Sequence, residues 1–93
     1  MAEIKIFWSE RALNNLEEII TYISKDSQAH ARHFTSSILE SIEAIRSFPH
    51  IGRRVPEYND PQLREILFRN YRIVYKLSEN RAEIVTIFQG SKL

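Results

Sequence analysis

The chain has no cysteine, only two glycines and only three prolines in 93 residues. Without thiols it has neither disulfides nor thiolate metal sites, and a secreted domain of this size usually depends on such staples. That absence favours the cytoplasm. Scarce glycine and proline, with an apolar share of 43%, exclude collagen-like, linker-like and disordered classes. No stretch approaches the roughly 20 apolar residues of a membrane span, and Met1-Ala2-Glu3-Ile4-Lys5 lacks the basic start and apolar run of a signal peptide. No membrane partner is expected. A chain this short buries only about 60–65% of its unfolded surface, too little to divide between two cores, so residues 1–93 are read as a single domain.

Charge is present but unevenly placed. Residues 1–45 carry four Lys/Arg against seven Asp/Glu and residues 46–93 nine against five, leaving −3 and +4. Nine of the thirteen cations are arginine, the side chain suited to bidentate contacts with carboxylate or phosphate. Only the second half therefore reads as a surface for an anionic partner.

The alternation of Ile4, Ile6 and Trp8 with Lys5 and Phe7 predicts a short strand over residues 3–8. Ser9 is placed to cap a helix, with Glu10 in its first turn. Leu13, Leu16, Ile19, Ile20 and Ile23 recur at three- and four-residue steps, the core-facing stripe of helix one. Residues 24–27 are expected to form a helix-to-helix turn. A second helix runs to about Ser47 with Ala31, Phe34, Ile38, Ile42 and Ile45 as its stripe, and Phe48-Pro49 ends it. Trp8, Tyr22 and Phe34 fall on the apolar pattern and are assigned to the core.

Residues 48–63 form a long connection punctuated by Pro49, Gly52, Pro56 and Pro61, with Arg53-Arg54 inside it. Three strand-like runs follow, at 64–68, 71–77 and 83–88, with gaps short enough to require antiparallel neighbours. In the middle run Tyr71, Ile73, Tyr75 and Leu77 share one face, expected to meet the helices. Arg72, Val74 and Lys76 share the other, expected to be free for a partner. The fold class is α+β, in the order β-α-α-β-β-β, with a helical hairpin on a small antiparallel sheet.

The candidate site is the set Arg53, Arg54, Arg64, Arg69 and Arg72, drawn from one loop, two strands and a turn. Glu57, Asp60 and Glu65 are the carboxylates available to compensate them. Arg72 stands apart, because an arginine inside the apolar run Tyr71-Arg72-Ile73-Val74-Tyr75 needs a partner, a ligand or an open face. His30, His33 and His50 lack the i, i+4 pairing of a metal motif, and no metal or cofactor is expected.

Taken together, Trp8-Ser9-Glu10-Arg11-Ala12 with Leu16, Phe48-Pro49-His50-Ile51-Gly52-Arg53, Leu63-Arg64-Glu65 and Tyr71-Arg72-Ile73-Val74-Tyr75 resemble the RelE/ParE toxin superfamily over nearly the whole chain. The hairpin, the Pro-x-x-Gly-Arg turn and the Tyr-Arg-Ile-Val-Tyr strand are most similar to the ParE-like branch. That resemblance implies the toxin component of a type II toxin–antitoxin system of the plasmid-stabilisation type, held by a cognate antitoxin in a hetero-oligomer and inhibiting DNA gyrase by binding. Arg53, Arg54, Arg64, Arg69, Arg72 and Lys92 would be its target or antitoxin contacts. RelE-like relatives instead cut messenger RNA on the ribosome. On that alternative Arg72 takes the place of a catalytic arginine, with Arg64 or Arg69 beside it and Glu65 or Glu57 as base. The end of the last strand departs from both patterns: Gln89 stands where nucleolytic relatives often carry Tyr or His and ParE-like chains His, and Lys92 where the latter carry Arg. An attenuated relative that only binds its antitoxin is the third reading.

Overall fold

The computed structural model describes residues 3–90. Its elements in chain order are β1 (Lys5–Trp8), α1 (Glu10–Asp26), α2 (Gln28–Glu43) with a 3-10 turn at Ala44–Arg46, β2 (Arg53–Arg54), β3 (Leu63–Phe68), β4 (Tyr71–Ser78) and β5 (Arg81–Gln89). The strands form one sheet in the order β1-β5-β4-β3-β2. β3, β4 and β5 pair antiparallel as expected, β2 adds an unexpected antiparallel edge strand on β3, and β1 joins β5 in parallel and makes the sheet mixed.

Ser9 fixes the passage from β1 into α1. Its N–H donates to the Ile84 carbonyl at 3.0 Å. Its hydroxyl accepts from the Ala12 N–H at 3.0 Å and donates to the Val85 carbonyl at 2.8 Å, so one side chain both caps the helix and ties it to the sheet edge. Beyond Ile84, β5 has no strand on that side among the described residues. Asn15 of α1 stands in: its Oδ1 accepts from the Ile87 N–H at 3.1 Å and the Thr86 hydroxyl at 2.9 Å, meeting the requirement that a buried backbone donor be paired.

The turn expected over residues 24–27 contracts to Ser27 alone. Ser24 to Asp26 remain helical. Ser27 is extended, with φ −159° and ψ 119°; its N–H closes α1 on the Ile23 carbonyl and its hydroxyl accepts from the His30 N–H to open α2.

The core lies between the hairpin and one face of the sheet. Ala12, Leu16, Phe34, Ile38, Ile42 and Ile45 meet Ile73, Tyr75, Ala82, Ile84 and Ile87. Phe34 sits edge-on to Phe68 and Tyr71, with centroids 5.5 and 5.6 Å apart. Tyr22 does not join this core: it is 74% exposed, and Leu13 is 47% exposed. At the helical repeat the buried line through Ala12, Leu16, Ile19 and Ile23 has its centre roughly 80–100° away from both. Trp8 packs partly buried against the core, as assigned.

The other sheet face is not free. The segment after β2 crosses it, and Arg72 and Val74 are only 5% and 4% exposed. Arg53 and Arg54, expected in a loop, instead form the short edge strand that opens this crossing. Among the described residues, no helix is long and apolar enough to cross a membrane.

Candidate functional site

The register of β3, β4 and β5 places Arg72 between Leu67 and Phe88 and sets Glu65 beside Val74, while β2 lays Arg53 opposite Glu65. All of these side chains stand on the face away from the helices. The result is an alternating chain of four charges. Glu65 Oε2 accepts from Arg53 Nε at 2.7 Å and lies 2.7 Å from its Nη2. Glu65 Oε1 accepts from Arg72 Nε at 2.7 Å and lies 2.6 Å from its Nη2. Arg72 then spreads Nη1 and Nη2 over the two oxygens of Glu57 at 2.7 and 2.6 Å, a bidentate fork. The lone arginine of an apolar strand has its partners, supplied by β3 and by the segment after β2.

The electrostatics follow from these contacts. Hydrogen bonds from Arg72 hold the Glu57 carboxyl down from its ordinary 4.5 to about 2, against the opposing effect of desolvation. The same bonds raise Arg72. Glu57 is therefore a very weak base near neutral pH, and both oxygens of Glu65 are engaged by guanidinium groups.

Next to this network a cleft of about 400 Å³ is lined by Arg53, Arg69 and Arg72 with Asn70, Gln89 and Gly90. Arg69 occupies the β3–β4 turn with φ 55°. Its guanidinium lies over the rings of Phe34 and Phe68 at 5.4 and 5.1 Å. Three of the five candidate arginines thus share one site. The other two do not reach it. Arg54 and Arg64 oppose each other across β2 and β3 on the helix side of the sheet. Arg64 Nη1 donates to the Gly52 carbonyl at 2.7 Å and lines a separate hollow with Pro49 and His50. Lys92 falls outside the described residues.

Tyr75 explains why the Pro-x-x-Gly-Arg turn accompanies the Tyr-Arg-Ile-Val-Tyr strand. Its hydroxyl donates to the Pro49 carbonyl at 2.7 Å and accepts from the Gly52 N–H at 3.0 Å. A Cβ on Gly52 would stand 2.7 Å from the Tyr75 ring and 2.8 Å from the Glu65 carbonyl, so glycine is required by close approach. Burial pushes the Tyr75 phenol up, with the Gly52 N–H pulling the other way. The joint fixes where β2 begins and hence where Arg53 meets Glu65. Glu57 is the partner that sequence reasoning placed among several acids without pairing it, since nothing in the spacing shows that its segment folds back across β4.

Comparison with known proteins gives the family. The sequence model of the ParE toxin of the type II toxin–antitoxin system parDE matches residues 6–93, and the chain belongs to that family. A relative from Sinorhizobium fredii, "Putative toxin Y4kP", is 33% identical over 92 residues, covering 97% of this chain and 92% of the relative. A solved structure described as the chromosomal ParDE TA system from P. aeruginosa superposes with a TM-score of 0.75 at 18% identity, over 94% of this chain and 96% of that one, a likeness of fold.

Proposed function

We propose that residues 1–93 act as a single ParE-like toxin domain that inhibits DNA gyrase in the cytoplasm by binding, and that a cognate antitoxin neutralises it in a hetero-oligomer. The observation that carries the binding reading is the state of Arg72. A nucleolytic site needs a cation free to meet phosphorane charge and a base free to take the 2′-hydroxyl proton. Here the arginine in the relevant position is closed by two carboxylates, and those carboxylates are the two acids weighed as base. With Glu57 seated on the Arg72 fork, the candidate arginines exposed for a first contact are Arg53, whose side chain is 54% exposed, Arg54 and Arg69. The P. aeruginosa neighbour, which comes from a toxin–antitoxin system, supports the antitoxin partner.

The test is a supercoiling assay with purified gyrase and excess toxin. Cleaved DNA, or DNA left relaxed, should accumulate, and addition of the product of the adjacent reading frame should restore normal supercoiling. Undisturbed supercoiling, together with cut messages on translating ribosomes that vanish with Arg72→Ala, would overturn the reading in favour of an endoribonuclease.

A further inference from the structure

The two carboxylates on Arg72 are of unlike standing. Glu65 is strand-borne, its side chain is wholly buried, and it is shared with Arg53. Glu57 comes from the segment between β2 and β3, and its side chain is 38% exposed although the Arg72 it grips is only 6% exposed. The inward Nε of Arg72 is thus held by a carboxylate that water does not reach, and its outer fork by one that water does. The segment carrying Glu57 is held down by Val55, 2% exposed, and by the Tyr58 N–H to Val55 carbonyl bond of 3.2 Å, after which Tyr58 stands 53% exposed.

Two clefts flank this contact. Arg72 lines the one of about 400 Å³ already described. Tyr58 and Phe88 line another of about 410 Å³, together with Leu63, Val74 and Arg11. The Phe88 ring lies 5.2 Å from the Arg72 guanidinium, so the ion pair stands at the boundary between them.

We infer that the outer fork of Arg72 is a carboxylate-binding site that the chain fills with its own Glu57, and that an acidic side chain of a protein partner exchanges with Glu57 there. The inference rests on the binding reading above and names the chemistry of its contact. Exchange of one bidentate carboxylate for another conserves charge and hydrogen bonds at a buried guanidinium, so only the displaced segment has to move. The local charge favours a protein over a nucleic acid. Arg53 and Arg72 are cancelled by Glu65 and Glu57, which leaves Arg69 as the surplus cation among the described residues of the cleft. A phosphate backbone is held by several uncompensated cations in a row. Exposed Leu67 and Tyr58 on either side, 55% and 53% exposed, instead suit the apolar neighbours of an acidic residue in a peptide segment.

Glu57→Ala empties the fork and turns the inference into a rescue experiment. The variant should melt roughly 2–5 °C higher in molar-range sodium acetate than in sodium chloride of equal ionic strength, because a ligand that binds only the folded state stabilises it by mass action. Wild type, with the fork filled, should show no such preference, and neither should Glu57→Gln, whose amide occupies the same space. Measured as the difference from wild type in the same salt, which removes the general stabilisation that excluded anions such as phosphate give any fold, inorganic phosphate at equal ionic strength should raise the variant less than acetate does. No acetate-specific rise overturns the site, and a larger rise in phosphate overturns the assignment to carboxylate. In the gyrase assay, Glu57→Ala should inhibit at a several-fold lower concentration than wild type, since the internal competitor is gone; equal or weaker inhibition overturns the exchange. Should neither protein affect gyrase, the choice of target fails while the acetate result still decides the site.

Discussion

Glu65→Ala is the sharpest perturbation of the charge network. The Glu65 side chain is wholly buried, and its two oxygens take guanidinium contacts from Arg53 and Arg72 at 2.6 to 2.7 Å. Its loss leaves the Nε of a buried Arg72 unpaired and Glu57 as the sole remaining counter-charge. Breaking one side of a buried ion pair costs about 3–5 kcal/mol, because the charge left behind has lost water without gaining a partner. For 93 residues, total stability is expected at about 5–14 kcal/mol. The variant should therefore forfeit about a fifth or more of it and melt on the order of 20 °C lower. Arg53→Ala, which removes a half-exposed partner from the same carboxylate, should cost only about 1 kcal/mol or less. Replacing both buried members, Arg72→Met with Glu65→Leu, should cost far less than Glu65→Ala alone, since no buried charge is then orphaned. Urea unfolding at neutral pH, compared at unchanged slope, measures all three. A Glu65→Ala loss under about 1 kcal/mol, or one matched by Arg53→Ala, would refute the argument that desolvation of Arg72 governs the effect.

Two further outcomes follow from the same region. Gly52→Ala should destabilise by about 1–3 kcal/mol, because the added Cβ meets a core ring and a backbone carbonyl at 2.7 and 2.8 Å and neither can swing aside; an unchanged urea midpoint would show that the joint yields. Acid should weaken the fold through Glu57. Its folded value, about 2, lies below its ordinary 4.5, so the unfolded chain binds the proton first. The contribution is complete above pH 4.5 and is lost as pH falls towards 2. Melting temperatures from pH 7 to pH 2 should therefore drop more steeply below 4.5 for wild type than for Glu57→Gln, and parallel curves would contradict this assignment.

The elements were legible in the sequence where local chemistry is decisive. Ser9 announces α1, Phe48-Pro49 closes the helical region, and the period-2 alternation of residues 71–77 marks β4. What escaped depends on tertiary position. The apolar stripe of α1 is wider than the surface that covers it, so Leu13 and Tyr22 read as core and lie outside it. The parallel pairing of β1 with β5 joins residues more than 70 positions apart, and no turn chemistry announces it. At the site, the need of Arg72 for a partner was legible from its apolar neighbours. Its partner was not, because Glu57, Asp60 and Glu65 look alike until the segment after β2 is seen to cross β4.

The contraction of the hairpin turn to Ser27 leaves residues 10–43 without slack. A protease that needs several extended residues in its cleft finds none between the two helices, and the hairpin should survive limited digestion as one piece. The same economy fixes the chain length there. One inserted residue has no loop to enter, so it must unwind a turn of α1 or α2 and rotate one apolar stripe by about 100° against the other. Insertions that leave the fold intact therefore belong near Asn59, where the chain is exposed, and not at the hairpin tip.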